Sequence, residues 1–398
     1  MKRLVLLLVM LSASFSSFGY SRITLERVWT ISTDGSPYDF TGALAVNNSN
    51  QKIISITISP QAEHYTDANN TVWVHAKGSG QQTVVIRAKA VIDVGYDTNI
   101  TKDSPIPLKD VQTTNLTEFD QAISTQAVKL SKADSSLLSI ANMVNWVHDY
   151  VEYDLDYWGR IRSARQVFTE KRGVCVEYTH LLLSLVRSLG FEARYVNGYV
   201  KANNWQPHAW TEIFVPEYGW LPADPTFGQV GTLDNTHVAI NYGLDQASAF
   251  DLLVTQDPEA RIEVSGKVSE NFLSEDQKGV NIGLDFQAKD SYAEVKLTNT
   301  RPDFVFGSYL FYAPGGSGQI NSSVVLLPPL QTTYRYHVVN YSLFEQGYLS
   351  DIPLSASFND AKDSLTISPI GSAKPLKAPE YCLSAIMLLA VVALMKAT

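Results

Sequence analysis

The stretch from Gly173 to Gly190 restricts the fold more than any other. Cys175 stands two residues after Gly173, and behind it Tyr178, Leu181, Leu182, Leu185, Val186 and Leu189 recur at three- and four-residue intervals. That period is one face of an α-helix, and Gly190 offers the left-handed residue on which helices end. The spacing predicts a helix over 174–189 with Cys175 in its first turn. There the free N–H groups and the positive end of the helix dipole favour a thiolate over a thiol. A thiol nucleophile needs a base, and Pro207-His208-Ala209-Trp210 supplies a histidine 33 residues later. The base needs an orienting group, and Pro222-Ala223-Asp224-Pro225 supplies a carboxylate 16 residues after that. Cys175, His208 and Asp224 in this order can serve as nucleophile, general base and the group that fixes the imidazole tautomer.

Three motifs carry a family resemblance. They are Gly173-Val-Cys-Val-Glu-Tyr178, Leu189-Gly-Phe-Glu-Ala-Arg-Tyr-Val-Asn-Gly-Tyr199, and His208-Ala-Trp-Thr-Glu212 followed by Gly219-Trp-Leu-Pro-Ala-Asp-Pro-Thr226. From about residue 164 to 227 the chain resembles the transglutaminase-like superfamily, a papain-like group of transglutaminases, peptide N-glycanases and microbial proteases. The resemblance implies a Cys-His-Asp triad, which falls on Cys175, His208 and Asp224. Animal transglutaminases use calcium, but no matching site is legible here. The acidic run Asp149, Glu152, Asp154, Asp156 reads as a solvated loop before it reads as a calcium site. No HExxH, CxxC or EF-hand spacing occurs, so no metal and no cofactor is expected.

With 398 residues the chain is expected to hold more than one domain. The formal charge of −9 argues against nucleic acid, which needs a basic face. Lys2 and Arg3 before the apolar run Leu4–Leu11 read as a secretory signal over 1–20; an uncleaved anchor is the alternative. From Ser21 to about Asn115, runs such as Ile53–Ser59 and Thr83–Val94 are β-branched and bounded by turn residues, which predicts a β-sandwich-like domain. Thr101–Asn115 reads as its linker. Helices are predicted from Thr117, over Ser135–Val151 and over Ser163–Phe168. After the cysteine helix come strands Ala193–Lys201, Pro207–Val215 and one leading from Trp220 to Asp224; residues 226–260 give no clear pattern. From 261 to 372 the chain again reads as strands and predicts a second β-sandwich-like domain. Residues 373–398 read as a stalk and a short membrane anchor, Tyr381–Met395, or a tail that is removed. The fold class expected is therefore α+β: a transglutaminase-like domain over 116–260 between two β-sandwich-like domains.

Cys382 lies in that tail, so Cys175 stands alone in a chain expected outside the cell. Six Asn-x-Ser/Thr sequons, at Asn47, Asn69, Asn99, Asn115, Asn321 and Asn340, avoid the segment of the triad and are glycosylation candidates. The Cys175 N–H is a natural oxyanion donor; Gln166, Tyr153 and Trp158 are candidates for the second donor or for substrate contact. His180 lies about 140° round the helix from Cys175 and reads as structural. His148, His64, His75, His237 and His337 have no supporting motif. Glu212, sharing a strand face with His208, reads as a salt-bridge residue. The expected activity is attack on amide bonds of proteins or peptides through a thioester, with hydrolysis ahead of Gln–Lys crosslinking. A buried inert thiol in a cell-surface binding or scaffold protein is the reading from another class. Deglycosylation has less support, because the zinc-binding Cys pairs of peptide N-glycanases are missing.

Overall fold

A computed structural model describes residues 19–48, 50–60, 62–94, 111–216, 218–233, 235–275, 280–287, 292–301, 304–313, 319–339, 352–359 and 361–367. The expected leader up to residue 18, Asn99, Asn340 and the tail with Cys382 lie outside them. The chain divides into two units, Met1–Lys278 with Pro302–Phe306 and Gly279–Arg301 with Gly307–Thr398.

The first unit opens with six strands: β1 (Gly19–Ser32), β2 (Tyr38–Val46), β3 (Gln51–Ser59), β4 (Glu63–Thr66), β5 (Thr71–Gly78) and β6 (Thr83–Val94). In β1 every second side chain from Ser21 to Ile31 is buried, the two-residue period of a strand with one face on a core. Ile23, Leu25, Trp29 and Ile31 from β1 meet Phe40 and Leu44 from β2, Val74 from β5 and Ile86 and Ile92 from β6. Burying each such side chain contributes about 2 kcal/mol.

Helices follow: α1 (Gln121–Leu130), α2 (Ser136–Tyr150), α3 (Ala164–Glu170) and α4 (Cys175–Ser188). α1 starts later than the expected Thr117, because Asp120 is its cap and accepts the Ala122 and Ile123 N–H groups at 3.0 Å. Ser135 caps α2 through Leu138 N–H. Two short strands, β7 (Glu152–Tyr153) and β8 (Arg172–Gly173), pair in parallel. The second sheet-forming run is β9 (Ala193–Lys201), β10 (Trp205–Val215), β11 (Gly219–Asp224), β12 (Gln229–Val230) and β13 (His237–Gly243), ordered β12-β11-β10-β9-β13. α4 packs on β9 and β10, and Val238 and Ile240 of β13 enter the core of the amino-terminal sheets.

The chain then returns to those sheets. β14 (Leu252–Thr255) pairs with β2, and β15 (Arg261–Glu275) runs antiparallel along β1 for its whole length. The domain border expected at residue 261 therefore moves: β15 completes the sheet ordered β15-β1-β6-β3, and β14 the sheet ordered β14-β2-β5-β4. Alternation marks a strand but does not name its partner, and here the partner lies more than two hundred residues back. Asp251 ties the return down. It accepts from Arg27 Nη2 at 3.1 Å, Trp29 Nε1 at 2.7 Å and Ala43 N–H at 2.9 Å.

The second unit holds β16 (Val280–Gln287), β17 (Tyr292–Asn299), β18 (Val305–Ala313) from Gly307 onward, β19 (Gln319–Leu327), β20 (Thr332–Val338), β21 (Ile352–Phe358) and β22 (Ala361–Ile367). Its sheets are ordered β16-β17-β20 and β19-β18-β21-β22. Val295, Leu297, Phe311, Leu354 and Phe358 are buried in it. Together the described residues are α+β, with antiparallel sheets on either side of the helical segment in the chain. No described helix is long and apolar enough to cross a membrane.

Candidate active site

Cys175 is the first residue of α4, and three local features put it there. Tyr153 of β7 pairs with Gly173 of β8, which anchors the turn before the helix. A Cβ on Gly173 would collide with the Glu177 side chain, whose Cγ would lie at 2.7 Å. Without it, Glu177 folds back and accepts Val174 N–H at 3.0 Å and Arg162 N–H at 3.1 Å. The carboxylate thus caps a helix whose capping residue, Val174, has no polar side chain. Burial raises the Glu177 carboxyl, against the backbone N–H groups that lower it.

The sequence read one apolar stripe on α4, yet the helix is buried around nearly its whole circumference. Each polar side chain there has a partner. His180 Nδ1–H donates to Arg162 O at 2.9 Å, and its Nε2 accepts Gln246 N–H at 3.3 Å. Ser184 donates to Glu118 O, and Arg187 to Thr117 Oγ1 and Ala193 O. Burial lowers the His180 imidazole to about 4, so it is neutral at pH 7. That placement makes His180 a structural residue.

His208 is the first buried residue of β10, after the exposed Gln206 and Pro207. It lies opposite Gly198 of β9, and the pairing requires that glycine: a Cβ there would collide with Val238 O and reach within 2.5 Å of the Trp210 ring. His208 Nε2 and Asp224 Oδ2 are 2.7 Å apart. Asp224 closes β11, and its Oδ1 accepts the N–H groups of Thr226 at 2.7 Å and Phe227 at 3.2 Å. Burial alone would lower the His208 imidazole. The Asp224 charge, its hydrogen bond and a hydrogen bond with Cys175 outweigh it and hold the ring at about 10. Burial pushes the Asp224 carboxyl up, but His208 and then His237 hold it well below the usual carboxylate range. Cys175, His208 and Asp224 are 5%, 6% and 0% exposed. Trp210, Phe227 and His237 surround the His208 ring, with centroids 6.1, 5.3 and 5.8 Å away. The three residues separated in sequence thus meet in one sheltered place. With Nε2 spent on Asp224, Nδ1 is the ring nitrogen left for the thiol.

The other sequence candidates fall differently. Gln166 is exposed, and its Oε1 accepts Ser163 N–H at 2.9 Å, closing the capping box of α3. It is therefore committed to the helix start and not to the thiol. Trp158 is 60% exposed. Tyr153 alone of the three lies by the thiol: burial first, then Cys175, Asp224 and Glu177, keep its hydroxyl protonated. Asp154, from the acidic run, pairs with Arg172 at 2.7 Å. Glu212 accepts from Arg194 Nε at 2.9 Å. Of the described sequon residues, Asn69 and Asn115 are exposed, whereas Asn47 Oδ1 accepts Ile53 N–H.

Sequence reasoning missed His237, the first residue of β13. Its Nε2 lies 3.0 Å from the same Asp224 Oδ2. The one signal was its setting before Val238-Ala-Ile240: a histidine opening a buried apolar strand needs a polar partner. The ligand atoms of His208, Asp224 and His237 lie within 4.8 Å of one another, a set that could hold a metal ion. Here both Nε2–H groups are directed at Oδ2 instead.

Residues 124–225 match the model of the transglutaminase-like superfamily core. The chain carries a transglutaminase-like core domain. An uncharacterized protein of Mycobacterium leprae is 26% identical over 125 residues, 29% of this chain and 44% of that protein. The protein-glutamine gamma-glutamyltransferase of Pseudomonas aeruginosa is 33% identical over 96 residues, 21% of this chain and 14% of the enzyme. The match thus spans less than half of either relative. Among solved structures, a candidate cysteine protease of Cytophaga hutchinsonii aligns at 22% identity, covering 65% of this chain and 92% of that one, with a TM-score of 0.47. The transglutaminase-like core ends one residue past Asp224, so it contains the whole Cys175–His208–Asp224 set.

Proposed function

We propose that this chain is a thiol enzyme acting on amide bonds of proteins or peptides. The observation that carries the reading is the buried His208–Asp224 pair hydrogen-bonded toward a cysteine at a helix start. Cys175 Sγ attacks the carbonyl carbon, and its proton resides on His208 Nδ1. The C–S bond forms as the carbonyl oxygen becomes an oxyanion, which accepts from the Cys175 N–H and the Tyr153 hydroxyl. Collapse breaks the C–N bond, and His208 delivers the proton to the departing amine. Asp224 holds the imidazole ring in place throughout. Water drawn onto the thioester by His208 gives hydrolysis, which we place first. A lysine amine in place of water gives an isopeptide bond, the reading favoured by likeness to the Pseudomonas aeruginosa enzyme.

Iodoacetamide labelling at pH 7 tests the reading. Cys175 is expected to react at least about tenfold faster than a free peptide thiol, and Cys175→Ala to abolish labelling and turnover. Labelling at the ordinary thiol rate sinks it. A peptide library read for cleavage and for incorporation of a small amine separates the two outcomes.

A further inference from the structure

We infer that His237 is a positioning residue of the thiol site: it donates its Nε2–H to Asp224 Oδ2 and fixes the carboxylate that orients His208. The inference rests on the proposed thiol chemistry.

The geometry is specific. Asp224 is fully buried and takes two backbone N–H groups on Oδ1 and two imidazoles on Oδ2, at 2.7 Å and 3.0 Å. Two contacts on each oxygen leave the carboxylate no rotation that preserves them all. Remove His237 and Oδ2 keeps His208 alone, so the carboxyl plane can turn about the fixed Oδ1. The imidazole of His208 then follows it away from Cys175. A displacement of about 1 Å in such a group is enough to cost on the order of 100-fold in rate.

The fold brings His237 there from a distance. In the sheet, β10 and β9 separate β11, with Asp224, from β13, with His237. Gly198 of β9 lacks the Cβ that would collide with the Trp210 ring, and that ring stands perpendicular to His237 at 5.3 Å between centroids. Trp210 therefore braces both imidazoles on one carboxylate.

Three variants decide it. His237→Met keeps length and bulk but deletes the donor; it is expected to slow iodoacetamide labelling of Cys175 about tenfold or more with Tm lowered only slightly. His237→Gln places an amide N–H near the lost Nε2 and is expected to recover labelling to within about threefold of wild type. Asp224→Asn is expected to be as slow as His237→Met or slower. In the ¹⁵N-labelled wild type, separate Nε2–H protons assigned to His208 and His237 are expected, and the His208 proton is expected to shift in His237→Met. A wild type that labels at the rate of a free thiol fails the thiol reading itself. A fast wild type with His237→Met equally fast, or His237→Gln as slow as Met, overturns the positioning role alone. If neither variant folds, the wild-type spectrum decides: absence of a His237 Nε2–H proton, as when zinc occupies that nitrogen, overturns it.

Discussion

Two buried histidines lie within the transglutaminase-like core, and they pull stability in opposite directions with pH. His180 is held neutral, at about 4 against an ordinary 6.5. Below pH 6.5 the unfolded chain takes up a proton that the folded chain refuses, so stability falls as pH drops toward 4. The full difference corresponds to about 3 kcal/mol. Thermal unfolding followed from pH 7.5 to 4.5 is expected to show this loss, and His180→Gln to flatten it. His208 is the mirror case, raised to about 10 by its carboxylate despite burial. Its contribution is complete below pH 6.5 and lost as pH rises through 10. His208→Gln is therefore expected to remove an alkaline loss of Tm between pH 8 and 10.5 and to leave the acid limb alone. The meeting of Cys175, His208 and Asp224 was legible because each sits in a short motif with a mechanism behind it. His237 was not, because its value comes from a carboxylate thirteen residues earlier and three strands away in the sheet.

Several elements were legible in their bounds. The starts expected at Ser135 and Ser163 hold, because those side chains cap α2 and α3, and β9 runs from Ala193 to Lys201 as expected. What alternation and capping rules do not contain is the circumference of α4. A helix surrounded by three others and a sheet must bury its polar face too, and only the neighbours show how Glu177, His180 and Arg187 are satisfied. Glu177→Ala leaves the Val174 and Arg162 N–H groups unpaired in a buried place, a loss of about 2–4 kcal/mol. Denaturant unfolding is expected to show that loss, and iodoacetamide labelling of Cys175 to slow with it, because the first turn of α4 is no longer held. Gly198→Ala acts on the opposite wall. The added methyl has to move Trp210 or β13, so it is expected to cost about 1–3 kcal/mol and to slow labelling as well. A substitution on an exposed face, such as Lys89→Ala on β6, should do neither.

At the scale of the molecule, the transglutaminase-like segment is an insertion between strands of one sandwich, since β14 and β15 come back to β2 and β1 after it. Strand periods told of two β regions but could not assign β15 to the first, because pairing is set by packing across the whole chain. The consequence is testable by where the chain is cut. Ending it at residue 250 removes both return strands and Asp251, leaving Arg27 buried without its carboxylate, which costs about 3–5 kcal/mol by itself. Such a chain is expected not to fold, and Asp251→Ala in the full chain to lose about that much stability. A chain ending at residue 278 keeps both sheets but loses Phe304, whose N–H donates to Thr232 Oγ1 at 2.9 Å and whose ring meets Tyr218 at 5.1 Å. Phe304 is buried, and removing it costs about 3–5 kcal/mol. The 278-residue chain is therefore expected to fold and to label at Cys175, with a Tm lowered by about as much as Phe304→Ala lowers it in the full chain. Folding of the 250-residue chain to a protease-resistant core would sink the insertion reading. A 278-residue chain that fails to fold while Phe304→Ala folds would show that the first unit depends on more of the chain beyond residue 278 than this one ring.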